Sequence, residues 1–199
     1  MNHYFSKNQD SVLRTKTIEL NIRGINETIT LSSGTFSAKK LDKGTQILAE
    51  NMIIKENDTV LDLGCGVGIV GLIASYLTKN IVILTDINKR ATFIAKKNTQ
   101  HRKNIKVLHG NMFEPVKDKK FNVILFNPPQ AAGKEICNEM IKQSKEHLLF
   151  KGTLQVIARH NKGGRSFEKI MQETFGNVSY LTKTSGYRVY CSVKKNKHL

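Results

Sequence analysis

The run Val60-Leu-Asp-Leu-Gly-Cys-Gly-Val-Gly68 constrains this chain more than any other stretch. A short apolar strand leads directly into three alternating glycines, and a helix-forming apolar run follows at Ile69–Leu77. Glycines at 64, 66 and 68 remove side chains where backbone must turn tightly and approach a ligand closely. A helix that opens there aims its unpaired N-terminal amides at that ligand. Asp62, at the end of the strand, can accept hydrogen bonds from a cationic amino group. Asp86 ends the next apolar run, IVILTD, where a carboxylate can hold both hydroxyls of a ribose. Gly66, Gly68 and Gly71 also satisfy the G-x-G-x-x-G spacing, so this turn by itself leaves a nicotinamide dinucleotide open as the cofactor.

The pattern around the turn alternates short apolar runs with longer amphipathic ones. It predicts strands at Val60–Leu63, Ile81–Leu84, Ile105–Leu108, Phe121–Phe126 and Thr153–Ala158, and helices at Ile69–Leu77, Lys89–Asn98, Glu135–Leu149 and Phe167–Phe175. Runs apolar at every position are expected of strands buried between two helix layers. Asn177–Leu181 and Tyr187–Val193 follow as two strands separated only by the turn-prone segment 182–186. The expected fold is therefore α/β: a Rossmann-like, seven-stranded mixed sheet with helices on both faces and a terminal antiparallel β-hairpin. Upstream, alternation from Lys16 to Leu31 around Gly24 and Asn26 predicts a further N-terminal β-hairpin. Ser32–Gly44 reads as a loop and Gln46–Ile54 as a helix. Residues 1–45 are thus expected to be a hairpin-and-loop extension, and 46–199 the domain that carries the glycine turn.

A second local signal is Asn127-Pro-Pro-Gln130, at the end of the strand Phe121–Phe126. Consecutive prolines cannot continue a strand ladder, and they fix the shape of the turn. The Asn127 side-chain oxygen and the Pro128 carbonyl can then both accept hydrogen bonds from one planar NH2 group. N-methylation of an exocyclic or amide nitrogen needs such an arrangement, because the nitrogen lone pair is delocalised and poorly nucleophilic. Two acceptors on its protons orient the group and favour its rehybridisation during attack on a methyl donor.

Charge narrows the partner. The 199 residues hold 32 Lys plus Arg against 16 Asp plus Glu, a formal net charge of +16. An excess of this size favours a polyanion: nucleic acid first, an anionic membrane surface as the alternative. Between Ile87 and Phe113 there is no acidic residue, while Lys89, Arg90, Lys96, Lys97, Arg102, Lys103 and Lys106 accumulate; the stretch from Thr174 onward is likewise free of acids. Lys39, Lys40 and Lys43 lie beside the expected entrance to the site. No stretch approaches the roughly eighteen unbroken apolar residues of a membrane span, and the first residues lack the apolar core of a secretory signal. Cys65, Cys137 and Cys191 fit neither a disulfide nor a zinc pattern, and the scattered histidines suggest no metal site. A reducing, cytoplasmic setting is expected.

The D-x-G-x-G-x-G form of the glycine turn resembles motif I of the class I S-adenosylmethionine-dependent methyltransferases. With Asn127-Pro-Pro129 the chain resembles their amino-methyltransferases. It resembles most the small-domain group that modifies guanine N2 in small-subunit ribosomal RNA, together with its single-domain archaeal relatives. Ser33-Gly-Thr-Phe-Ser37, Leu41-Asp-Lys-Gly-Thr-Gln46, Asp86-Ile-Asn88 and Gly186-Tyr-Arg-Val189 also match, so the resemblance runs from about residue 30 to 190. It implies S-adenosylmethionine as cofactor, with Asp62, Gly64 and Gly66 at the methionine end, Asp86 on the ribose, and Asn111 with Met112 beside the adenine. Cys65, Gly68 and Ile87 complete that cradle, and Asn127 borders it. It implies Asn127, Pro128 and Pro129 as the catalytic turn, and RNA, as ribosomal RNA or a small ribosomal subunit, as partner. Gln130 stands where many of the group have an aromatic residue for base stacking, so Phe36 is the expected substitute. Lys39, Lys40 and Gln130 complete the expected substrate contacts. A protein glutamine-amide methyltransferase and a non-catalytic cofactor- and RNA-binding module are the competing expectations.

Overall fold

The computed structural model describes residues 14–35, 41–128 and 133–195. In chain order the elements are β1 (Thr15–Ile22), β2 (Ile25–Ser32), α1 (Lys43–Asn51), β3 (Val60–Leu63), α2 (Ile69–Leu77), β4 (Val82–Asp86), α3 (Lys89–Thr99), β5 (Ile105–His109) and β6 (Phe121–Phe126). They continue with α4 (Lys134–Ser144), β7 (Leu148–Arg159), α5 (Arg165–Phe175), β8 (Ser179–Thr184) and β9 (Tyr187–Val193). Seven strands form one sheet in the order β5-β4-β3-β6-β7-β9-β8, in which β5 to β7 run parallel and β9 runs antiparallel to both its neighbours. This is the expected Rossmann-like mixed sheet with its terminal hairpin.

Alternation along each strand decides the layers, since successive side chains point to opposite faces. Val60, Val82, Leu84, Val123 and Leu125 pack with α1, α2, α3 and the inner face of the β1–β2 hairpin. Leu61, Leu63, Ile83, Ile124 and Phe126 pack against α4 and α5. By the same parity Asp62 and Asp86 fall on the α2 side of the sheet. The chain leaves β3 in one direction to β4 and β5, and in the other to β6 and β7. The carboxyl ends of β3 and β6 therefore flank the switch point where open α/β sheets form their binding crevice.

The N-terminal hairpin closes through a two-residue turn, Arg23 (φ 56°) and Gly24 (φ 78°), which suits the twist of paired strands. Leu20, Ile22, Ile29 and Leu31 are buried in the same apolar cluster as α1 and α2. Asn98 on α3 fixes the hairpin's position. Its side chain accepts from the Thr30 N–H at 2.9 Å and donates to the carbonyls of Thr30 at 3.0 Å and Val67 at 2.9 Å. One buried amide thus joins the hairpin to the glycine turn.

Several boundaries differ from the sequence pattern, each for a local reason. Helix α1 starts at Lys43 because Asp42 caps it, and it stops at Asn51 rather than Ile54 because Arg23 takes the carbonyls of Glu50 and Met52. Helix α4 ends at Ser144, not Leu149, although the apolar spacing continues. The chain turns at 145–147, and Leu148 pairs with Phe121 to begin β7, whose register shifts before Thr153. Strand β8 begins at Ser179, not Asn177, because the Asn177 side chain itself bonds both backbone groups of Val193. Replacing Asn98 with Ala leaves three backbone groups, one buried and two half-buried, short of a partner and should destabilise the fold by about 2–3 kcal/mol. Urea titration should show a lower midpoint with an unchanged slope.

Candidate functional site

At the carboxyl end of β3 the chain makes its tight turn. Gly64, Gly66 and Gly68 all lie in the left-handed region, at φ 69°, 56° and 89°, where a Cβ is strained. The turn is pinned by the two carboxylates that the sequence singles out. Asp62, only 3% exposed, accepts from the Gly71 N–H at 2.8 Å in the first turn of α2. Asp86 accepts from the Gly66 N–H and the Asn88 N–H, both at 2.8 Å. Burial pushes the Asp62 carboxyl up to about 7, against the opposing pull of the Gly71 N–H. Burial raises Asp86 as well, again opposed by its backbone donors. Among the described residues neither carboxylate has an ion-pair partner. Two desolvated carboxyls without a cation suit a ligand that brings a positive charge to one and hydroxyl donors to the other. Cys65, between them, is held well above its usual thiol range by burial and by both carboxylates, which disfavours the thiolate.

Neighbouring strand ends frame this recess. The Gly110 N–H donates to the Asp86 carbonyl at 3.1 Å, bringing the end of β5 beside β4. Asn111 is exposed there, and Met112 sits half-buried at φ 47°. Ile87 is half-buried, its carbonyl 2.9 Å from His109 Nε2. Asn88 donates to the Gly34 carbonyl at 2.9 Å and Arg90 to the Ser33 carbonyl at 3.0 Å. These bonds hold the Ser33–Thr35 loop beside the α3 N-terminus.

Asn127, at the end of β6, lies where two hollows meet. One is the narrow recess formed with Thr45, Asp62, Gly64 and Gly66. The other is a cleft of about 330 Å³ on the β7 side, walled by Pro128, Ile157, Phe167 and Tyr187, with Asp42, Arg159 and Lys162 around it. The Asn127 amide has a determined orientation. Its Nδ2 donates to Thr45 Oγ1 at 2.9 Å and to Asp42 Oδ2 at 3.3 Å. A carboxylate only accepts, so nitrogen must face Asp42, and the Asn127 carbonyl oxygen is left as an acceptor with no donor among the described residues. Asp42 Oδ2 in turn accepts from the Thr45 N–H at 2.8 Å and Thr45 Oγ1 at 3.2 Å.

The structure thus brings together Asp62, Gly64, Cys65, Gly66, Asp86 and Asn127, with Pro128 in the adjoining cleft. Phe36, Lys39, Lys40, Pro129 and Gln130 lie outside the described residues. Asp42 and Thr45 are site residues whose part the sequence pattern did not disclose; the available signal was the helix N-cap preference for Asp ahead of an apolar run. Phe167, Tyr187 and Arg159 were likewise not singled out. His160 and Arg165 are held in a structural network: His160 Nδ1 lies 2.9 Å from the Tyr190 hydroxyl, and Arg165 Nε donates to His160 Nε2 at 3.3 Å.

The methyltransferase small domain family matches residues 26–191. The chain belongs to this family. The Bacillus subtilis protein named "Uncharacterized protein YbxB" is 31% identical over 192 residues, covering 94% of this chain and 96% of that protein. The ribosomal RNA small subunit methyltransferase C of Psychromonas ingrahamii is 33% identical over 189 residues, covering 90% of this chain and 52% of that protein. The chain spans about half the length of the curated relatives of that name. Among solved structures, the T. thermophilus 16S rRNA N2 G1207 methyltransferase (RsmC), in complex with AdoMet and guanosine, shares the fold. Its TM-score is 0.82 at 21% identity, over 94% of this chain and 52% of that one. A Pyrococcus furiosus methyltransferase shares it at a TM-score of 0.65 and 16% identity, over 76% and 82% of the two chains.

Gly71 offers a direct check on the packing beneath this family's turn. A Cβ there would lie 2.6 Å from Leu84 Cγ and Cδ1. Gly71→Ala should cost about 1–3 kcal/mol by overpacking. In a thermal scan this appears as a fall in Tm of roughly 2–4 °C per kcal/mol.

Proposed function

We propose that this methyltransferase-family chain is an S-adenosylmethionine-dependent N-methyltransferase of RNA, acting on guanine N2 of ribosomal RNA in the cytoplasm. The observation that carries the reading is the locked Asn127 amide, which lines both the recess beside Asp62 and the cleft and whose carbonyl oxygen has no donor among the described residues. In this reading residues 46–199 carry the glycine turn and Asn127, and 1–45 supply the hairpin, the entrance loop and, in Asp42 and Thr45, the partners of the Asn127 amide.

The residues present fit the cofactor. Asp62 would hold its ammonium and Asp86 its ribose hydroxyls, Gly64, Gly66 and Gly68 would admit it against bare backbone, and Asn111 and Met112 would border its adenine. When bound, it supplies a sulfonium-activated methyl group open to in-line displacement. Asn127 Oδ1 and the Pro128 carbonyl would each accept a hydrogen bond from the NH2 of the target. The nitrogen is thereby oriented, and its lone pair is turned from conjugation toward attack. Thr45 and Asp42 keep the Asn127 amide from rotating its nitrogen into that position. No strong base is required, because the amine becomes acidic as the new bond forms and its proton can leave to water.

Charge supports the RNA partner. Lys89, Lys96 and Lys97 are exposed on α3 around Phe93, itself 61% exposed, a basic surface with an aromatic face for nucleic acid. Arg90 and Arg102 do not add to it, being tied to the backbone carbonyls of Ser33 and Ser75.

Radiolabelled methyl transfer to total RNA, isolated ribosomal subunits and a protein extract tests the reading. Label should enter RNA and digest to N2-methylguanosine, and Asn127→Ala should lower kcat about 10²–10³-fold, as for other lost oriented contacts. Label in protein alone would replace this reading with glutamine-amide methylation. Tight cofactor binding with no label anywhere would leave a binding module.

Cofactor affinity should also depend on pH, since a cation is held only by ionised Asp62, whose ordinary carboxyl value is raised to about 7. Affinity should therefore rise with pH up to about 7 and level off above it, falling about tenfold per unit below. Calorimetry at pH 6 in two buffers of different ionisation enthalpy should detect a released proton, which Asp62→Asn removes.

A further inference from the structure

We infer that Asp42 reads the base: its carboxylate accepts the N1–H of a guanine seated in the cleft beside Asn127. The inference rests on the proposed methylation of guanine N2 and names the group that selects for it.

The cleft, about 330 Å³, is at the small end of the roughly 300–1,000 Å³ of ligand sites, a size for one nucleobase rather than a helix. Apolar and aromatic side chains line part of it. Phe167 on α5 and Tyr187 on β9 both line it, and the Arg159 guanidinium lies 5.1 Å from the Tyr187 ring centre while donating to the Tyr187 hydroxyl at 2.9 Å. Aromatic contact for a base is thus available from Phe167 and Tyr187. Arg159 and Lys162 are exposed at its edge, placed for the phosphates on either side of an extruded base.

Besides the cationic Lys134, Arg159 and Lys162, the polar lining of the cleft offers two acceptors, from Asp42 and Asn127. Asn127 Oδ1 has no donor among the described residues. Asp42 uses one oxygen, Oδ2, for the Thr45 and Asn127 donors, and its other oxygen has no hydrogen bond or ion pair among the described residues. Two acceptors on side chains that touch each other call for two donors on one edge of a ligand. Guanine alone among the common bases carries its exocyclic amine beside a ring N–H, so N2 meets Asn127 and N1–H meets Asp42. Adenine places the bare N1 lone pair next to its amine, and cytosine places N3 there. Either would set a lone pair against a carboxylate. A glutamine side chain fails in the same way, because a carbonyl oxygen stands beside its NH2. The carboxylate that fixes Asn127 therefore also rejects the competing substrates, and a site built on a hydrogen-bonded polar edge discriminates strongly.

Nucleosides that carry different donors on this edge test this on the purified chain. Guanosine has both donors, inosine keeps only N1–H, and 2-aminopurine riboside keeps only the amine. Saturation-transfer NMR should give wild-type dissociation constants for 2-aminopurine riboside about tenfold or more above those for guanosine, with inosine closer to guanosine. Asp42→Asn retains a helix cap and should erase that gap, because its amide can present a donor. Phe167→Ala should weaken all three alike and leave the ratio unchanged. Equal wild-type binding of guanosine and 2-aminopurine riboside, a gap that survives Asp42→Asn, or no guanosine binding at millimolar concentration would each overturn the assignment. If methyl label enters N2-methylguanosine yet the gap ignores Asp42, this inference falls and the proposed function stands. Label in adenosine, cytidine or protein removes the reading on which it rests.

Discussion

Two desolvated carboxylates hold the centre of this molecule in place. Asp62 and Asp86 end adjacent parallel strands, and each binds the backbone of the glycine turn rather than a basic side chain. A hydrogen bond to a charged group contributes about 1.5–3 kcal/mol, enough to fix a turn whose glycines supply no side-chain contacts. It does not offset the burial of both charges, and each carboxyl is raised accordingly. The fold keeps a local electrostatic deficit where a cationic ligand would relieve it, so what holds the turn also defines what the turn can bind.

Strand order gives that deficit a direction. The switch point lies between β3 and β6, so the turn occupies one side of it and Asn127 the other. Asn127 is the meeting point of recess and cleft, and its amide cannot flip without setting oxygen against the Asp42 carboxylate. Helix α1 brings both Asp42 and Thr45, and Gln155 in β7 anchors the chain just after that helix through both backbone groups of Ile53. Packing of α1 onto the sheet thereby becomes orientation of one acceptor oxygen.

Much of this was legible in the sequence because it is local. Val60–Gly68 carries strand, turn and helix start within nine residues, and runs such as VILF declare strands buried on both faces. The N-terminal hairpin followed from period-two alternation around Gly24. What escaped is long-range. The Asp42 and Thr45 contacts with Asn127 cross more than eighty residues of chain, and no spacing rule connects a helix cap to a turn that far away. Asn98 read as an ordinary helix residue, although it ties the hairpin to the glycine turn. The end of α4 was misplaced because its apolar spacing runs on through Leu148, whose burial belongs to the sheet. The role expected of Phe36 in stacking falls outside the described residues, while Phe167 and Tyr187 offer aromatic surface that only the folded chain assembles.

The central claim is that one sheet end joins a cofactor recess and a base cleft through a single oriented amide. A crystal structure with S-adenosylhomocysteine and guanosine tests it most directly. The account predicts the amino-acid end at Asp62, the ribose at Asp86, and the guanine between Phe167 and Tyr187, with N2 on Asn127 Oδ1 and N1 facing Asp42. Guanosine bound away from Asn127, or seated with its sugar edge toward Asp42, would contradict it.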